Sequence, residues 1–213
     1  VGNQLHYSQE NDFSNISISF ESDVAHFRKV SEQDVQLDRL MTSYDFRSFF
    51  EENGYAAEFA SNDRIMCPPI YNNIYKGALG EVLGKHIFES YVGLSVEKIT
   101  DPAIFELFDC KIGNTKVFVD FKHWKPSYAV DADEYLQKIK DKAVACGAEC
   151  IIVANLIMEE KHKKYSDIRS ITSNDNSLKV LVVPALVLDR SDVVEVNSKA
   201  VMAVRKCVDE YAD

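Results

Sequence analysis

Several things are scarce or missing in this sequence, and each absence narrows the reading. In 213 residues there is no run of eighteen apolar side chains, the length a helix needs to cross a bilayer, so a membrane span is excluded. No basic-then-apolar leader opens the chain, and its first residue is Val1 rather than Met. The expectation is a cytoplasmic protein without a secretory signal, read as a processed or excised piece of a longer chain. Positive charge is also short: 24 Lys and Arg stand against 34 Asp and Glu, for a net charge of −10. A protein of that balance is expected to hold phosphate backbones weakly by itself. The five cysteines form no Cys-x-x-Cys pair and have no histidines at ligand spacing. Cys146 and Cys150 leave metal binding or a bridge open, beside the expected reading of reduced thiols. There is no Ser/His/Asp set, no internal repeat, and no phosphate-cradling glycine loop. The run GALGEVLG over residues 77–84 lacks the strand-turn-helix setting of a nucleotide fingerprint.

What is present suits a globular protein. Hydrophobic residues make up 46% of the chain, enough for a sizeable core. Residues 1–73 carry a net −7, residues 74–150 only −2 and residues 151–213 only −1, so the acidic excess sits in the N-terminal third. Residues 1–72 are therefore expected to form an acidic, partly helical extension or cap, and residues 73–213 a separate domain. Within the extension a strand is expected at Ile16–Phe20. A helix starting near Ser31 and Asp34 runs toward Phe50, Asn53-Gly54 ends it, and a second short helix precedes Pro68-Pro69.

The most informative stretch is a hairpin. Residues 104–112 and 115–123 are rich in Phe, Val, Ile and Leu, and Gly113-Asn114 between them supplies the positive φ angles of a tight turn. A two-residue loop sets Cys110 opposite Val117 and Asp109 opposite Phe118. Side chains alternate along a strand, so Phe118, Asp120, Lys122 and Trp124 share one face, and Asp109 joins it from the facing strand. Asp109 and Asp120 then lie diagonally, roughly 7 Å apart, near enough to hold one cation. A four-residue loop keeps the same pairing, whereas a one-residue slip sends Asp109 to the opposite face. The other face, Phe108, Cys110, Val117, Val119 and Phe121, is apolar and fit for burial. Two buried, unpaired carboxylates are costly, and a divalent ion with a neighbouring lysine offsets that cost; solvent exposure is the alternative that needs no ion.

A helix is predicted over residues 73–91, with Tyr75, Leu79, Val82, Leu83 and Phe88 on its buried side. Gly77, Gly80 and Gly84 each cost up to about 1 kcal/mol in a helix interior, which close approach to a sheet would justify. Glu81 shares their stripe and so points at whatever the glycines approach; a surface glutamate is the competing reading.

A glutamate on a first core helix, an aspartate on one strand and Asp-x-Lys on the next resemble the signature of the PD-(D/E)XK nuclease superfamily. Here these are Glu81, Asp109 and Asp120-Phe121-Lys122, and the resemblance spans roughly residues 74–157. Phe108 stands where the family name has proline, and the helix that follows has no Gln-x-x-x-Tyr element, which disfavours the exonuclease branch. The resemblance implies an α/β restriction-endonuclease-like core, αβββαβ, with a mixed central sheet flanked by helices and preceded by the mostly helical extension. It implies a Mg²⁺- or Mn²⁺-dependent nuclease. Asp109, Asp120 and the Phe121 carbonyl would be ligands, Glu81 would bind directly or through water, and Lys122 would be the catalytic ammonium. The implied substrate is nucleic acid, DNA ahead of RNA, within a larger helicase-like or defence assembly. The alternative is a catalytically inactive module of the same fold for nucleic-acid or protein binding.

Beyond the hairpin, Asp131 and Glu134 predict a helix start, with Leu136, Ile139, Ala143 and Cys146 as the buried stripe. In the resembling family this helix can add a polar residue, for which Gln137 or Lys140 stand against a solvated face. Gly147 ends the helix, and Ile151–Leu156 is predicted as a buried strand. Residues 158–178 read as a long loop, Lys179–Leu188 as an edge strand around Pro184, and Ser198–Tyr211 as a closing helix. Lys111, Lys116, Lys122, Lys125, Lys138, Lys140 and Lys142 crowd one stretch. Lys125, Lys138 and Lys140, with Trp124 as a stacking ring, are the candidate nucleic-acid contacts, helped by an attached domain or protein partner. The Lys161–Lys164 cluster and His86, His123 and His162 are read as solvated or packed.

Overall fold

The computed structural model describes residues 4–6, 17–19, 27–29, 32–53, 64–66, 80–122, 131–162, 166–190 and 192–212. The chain divides into two compact units, Val1–Tyr75 with Asp192–Val194, and Lys76–Ser191 with Glu195–Asp213. In the first unit β1 (Gln4–His6) pairs antiparallel with β2 (Ser17–Ser19), and β3 (Phe27–Lys29) with β4 (Arg64–Met66). Two helices, α1 (Glu32–Thr42) and α2 (Arg47–Glu52), lie between them in sequence. Ser43 breaks the helical run, its hydroxyl donating to the Leu40 carbonyl at 2.7 Å. Leu40, Met41, Phe46 and Phe50 are buried. The expected short helix before Pro68 is corrected at 64–66 to a strand, held by its ladder to β3.

The remaining elements belong to the second unit, apart from Val194 at the start of β13. Helix α3, residues 80–87, continues into a π-helical turn at Phe88–Val92. There follow β5 (Val96–Lys98), α4 (Pro102–Phe105), β6 (Cys110–Ile112), β7 (Val117–Lys122), α5 (Ala132–Ala145) and β8 (Cys150–Asn155). The chain goes on through β9 (Ile157–Glu159), β10 (Arg169–Thr172), β11 (Lys179–Val183), β12 (Val187–Asp189), β13 (Val194–Val196) and α6 (Ser198–Asp209). Six strands form one mixed sheet in the order β10-β11-β8-β7-β6-β5. Its centre, β11-β8-β7, is parallel, and both ends are antiparallel. The parallel centre explains why all six residues of β8 are buried, since both faces are covered. On one face α5 lays Leu136, Ile139 and Ala143 against Phe118, Ile151 and Val153. On the other, Phe88 meets Phe121 edge-to-face at 5.3 Å, and α6 brings Cys207 to Cys150 with the sulfurs 3.5 Å apart. The architecture is a mixed α/β sheet flanked by helices.

Several local expectations change. Residues 104–109 are not strand: Pro102 opens a short helix, and the Asp101 carboxylate accepts the Ala103 N–H at 2.9 Å. The loop expected over 158–178 contains β9 and β10. Pro184 is not in an edge strand. Strands β8 and β11 run through the large sheet and then continue, as β9 and β12, into a second sheet of order β13-β12-β9. Pro184 falls at that crossing, where no ladder hydrogen bond is required of it. Buried Asn155 ties the crossing together, its amide donating to the Pro184 carbonyl at 2.8 Å and the Ile157 carbonyl at 3.2 Å. Cys146 and Cys150 are free thiols.

Candidate active site

Strand β7 is the axis of the site. Along it Phe118 and Asp120 pair in parallel with Ile151 and Val153 of β8, which places Asp120 on the face covered by α5. Phe121 points to the opposite face. A Cβ built on Gly84 of α3 would fall 2.5 Å from the Phe121 ring, so only glycine lets the helix approach this closely. Glu81, three residues earlier on α3, is thereby carried to the same part of the sheet.

The hairpin register corrects the sequence reading. Cys110 pairs with Val119 and Lys111 with Phe118, two residues away from the expected pairing with Val117 and of Asp109 with Phe118. The turn is the reason. The Thr115 hydroxyl donates to the Ile112 carbonyl at 2.6 Å and accepts the Val117 N–H at 3.1 Å, so the four-residue loop is 113–116, one residue beyond the 112–115 loop that would keep the expected pairing. Of the expected pair of positive φ angles, only Gly113 has one, at +42°. A shift of two residues keeps side-chain parity, but Asp109 falls outside the regular ladder. Its N–H donates at 2.9 Å to the carbonyl of Val119, the residue already paired with Cys110, so two residues oppose one and the strand bulges. The bulge re-aims the Asp109 carboxylate, whose Oδ2 accepts the Phe121 N–H at 2.6 Å.

Asp120 is 5% exposed, and both of its oxygens are engaged. Oδ1 lies 2.5 Å from Lys122 Nζ, and Oδ2 accepts the Tyr135 hydroxyl of α5 at 3.0 Å. The electrostatics couple the acidic groups. Burial pushes the Asp109 carboxyl up to about 7, with the charges of Asp120 and Glu81 adding to it and the Phe121 N–H and Lys122 opposing. Burial likewise raises Glu81, against Lys85 and Lys122, with Asp120 adding to the rise. Asp120 is raised by burial while Lys122 and Tyr135 pull it down. The Tyr135 hydroxyl is itself held protonated, by burial first and by Asp120 second.

No family model and no curated protein matches this chain.

The donors present fit a small, hard divalent cation. They are carboxylate oxygens with a main-chain carbonyl beside them; burial is the first cause of all three raised carboxyls, and like charge adds to it at Asp109 and Glu81. The Phe121 N–H is directed toward Asp109, and its carbonyl points the same way because both groups of one strand residue face the same neighbour. The Lys122 carbonyl, one residue on, is taken by Leu156 N–H at 2.7 Å on the β8 side. Among the described residues, however, no three His, Cys, Asp or Glu side chains are gathered closely enough to hold a metal. The Lys122 ammonium stands against Asp120 Oδ1, so a bound ion would have to displace it.

The structure brings Glu81, Asp109, Asp120 and Lys122 into one electrostatic cluster. The other sequence candidates are not gathered there. Lys138 is paired with Glu134 at 2.8 Å and Lys140 with Asp175 at 2.7 Å, while Gln137 is exposed. Trp124 and Lys125 lie outside the described residues. Tyr135 was missed, yet its spacing was legible: Tyr135, Ile139 and Ala143 repeat every four residues on the stripe of α5 that packs on the sheet.

Proposed function

We propose that the chain is a divalent-metal-dependent nuclease with a restriction-endonuclease-like core. The observation that carries this reading is the charge of Asp120 on β7 acting on Glu81 of α3 and on Asp109, the residue before β6, with Lys122 paired to Asp120. The order α3, β5, β6, β7, α5, β8 supports it, being αβββαβ with the short α4 inserted before β6. Asp109, Asp120 and the Phe121 carbonyl would hold Mg²⁺ or Mn²⁺, and Glu81 would bind directly or through water. When bound, such an ion lowers the pKa of a coordinated water and offsets charge on an attacked phosphate. Lys122, released from Asp120, orients that water or balances the charge that develops on the phosphate. The substrate is nucleic acid, DNA ahead of RNA. Because the chain carries −10, its affinity for phosphate depends on an attached domain or a protein partner, as in a helicase-like or defence assembly.

One observation favours the second reading, a module of this fold without catalysis. Asp120 already has both oxygens satisfied from within the protein. Cleavage assays on plasmid, linear duplex, single-stranded DNA and RNA, with Mg²⁺ or Mn²⁺, separate the two. The nuclease reading expects metal-dependent cleavage that Lys122→Ala and Asp120→Ala abolish. Binding of a nucleic acid with no cleavage under any metal supports the inactive module instead.

A further inference from the structure

A pair of thiols meets where α6 packs on the sheet, outside the acidic cluster. Cys150 opens β8 and Cys207 stands in the last turn of α6, and both are buried. Their sulfurs are 3.5 Å apart although 57 residues separate them along the chain. One cation serves both. Lys179 is the partner of Cys150 in the parallel ladder of β11 and β8, is paired with Glu210 just past α6, and its charge acts on both sulfurs. The hydrogen bond between the thiols holds Cys207 below its usual range and Cys150 above it; burial opposes the first shift and adds to the second. A cation beside a thiol favours the thiolate, the form that reacts.

The other described cysteines have no such setting. Burial pushes the Cys110 thiol up to about 12, with Asp109, Glu81 and Glu89 adding to the rise against Lys85. Cys146, at the end of α5, is half-buried and has no sulfur contact among the described residues. Access to Cys207 comes from its place in the last turn of α6, since helix ends open locally at far lower cost than the core. When that turn closes again, its sulfur returns to contact with Cys150, from which a disulfide forms by approach to about 2.0 Å.

We propose that Cys150 and Cys207 are a redox-sensitive staple: hydrogen peroxide oxidises the pair to a disulfide that ties α6 to β8. The Cys207 thiolate attacks one peroxide oxygen, the O–O bond breaks, and hydroxide leaves and takes up a proton as water. Cys150 then attacks the sulfenic sulfur. The S–S bond forms, the S–O bond breaks, and the hydroxyl departs with the Cys150 proton as a second water. The two thiols lose two electrons and two protons, and the peroxide is reduced to two waters. Helix α6 also donates from Arg205 Nε to the Val92 carbonyl at 3.0 Å, so the staple fixes the element that holds the end of the π-helical turn after α3. A cross-link between residues this far apart in sequence restricts the unfolded chain strongly. The staple is independent of the nuclease reading.

The test treats the reduced chain with hydrogen peroxide, alkylates the thiols that remain, and maps the peptides without reduction. A peptide pair joined through Cys150 and Cys207 is expected. Thermal unfolding of the oxidised protein should rise in Tm by about 5–15 °C and return on adding dithiothreitol. Cys207→Ser should show neither the linked pair nor the rise. Full alkylation of both thiols after peroxide, or a bond from either one to another cysteine, overturns the proposal. So does a Cys150–Cys207 bond that leaves the Tm unchanged, because it then staples nothing. If Cys207→Ser is not recovered folded, the wild-type peptide map and the reversal by dithiothreitol decide the question by themselves.

Discussion

Replacing Asp109 with asparagine should make the metal-free protein more stable at alkaline pH. Asp109 has its carboxyl raised from 3.8 to about 7, chiefly by burial and then by Asp120 and Glu81. Between those two values the folded chain holds a proton that the unfolded chain releases. The resulting stability is fully present below about pH 4 and is lost as pH rises through about 7. Three pKa units correspond to about 4 kcal/mol, and partial solvent access to the group reduces this to about 2 kcal/mol. Asparagine has nearly the same shape and still accepts the Phe121 N–H, but it cannot ionise. Urea unfolding at pH 8 should therefore find Asp109→Asn more stable than wild type by about 2 kcal/mol, a gap that narrows as pH falls toward 4. Adding Mg²⁺ at pH 8 should stabilise wild type, by about 2.7 kcal/mol at a hundred times the Kd, and the variant far less. Equal stability of the two proteins at pH 8, or a gap that does not narrow on acidification, would refute the reasoning.

Three further outcomes follow from the geometry. Lys122→Met leaves the Asp120 carboxylate with Tyr135 alone; the metal-free protein should lose about 1–2 kcal/mol at pH 8, discounted for the exposure of Lys122. Urea unfolding at pH 8 checks this. Gly84→Ala drives a methyl into the Phe121 ring and should cost about 1–3 kcal/mol, seen as a lower Tm; an unchanged Tm would mean that α3 does not press on β7. Asn155→Ala strips the Pro184 and Ile157 carbonyls of their buried donor and should cost about 2–3 kcal/mol in urea unfolding.

What could be read from the sequence is what short-range periodicity encodes. The run Val117–Lys122 places Asp120 among Val and Phe, and that mismatch between a core strand and a carboxylate was visible before any coordinates. The Asp131 cap, which accepts the Glu134 N–H at 3.0 Å, and the wholly apolar stretch Ile151–Ala154 were equally plain. What escaped depends on geometry that no residue pattern carries. The register followed from one hydroxyl, that of Thr115, and the aim of Asp109 from a bulge. The strands β9, β10 and β12, three or four residues each, are too short to display a period. Pro184 looked like an edge residue because a proline at a crossing between two sheets has the same local signature. Tyr135 escapes a reading of the stripe of α5 that begins at Leu136, one residue later.

The most direct measurement is calorimetric titration of Mn²⁺ into wild type and Asp120→Asn at pH 8, where Asp109 is ionised. Saturable binding to wild type that is lost or greatly weakened in Asp120→Asn is the predicted result. No binding to either protein, or equal binding to both, would contradict a metal centre built on β7.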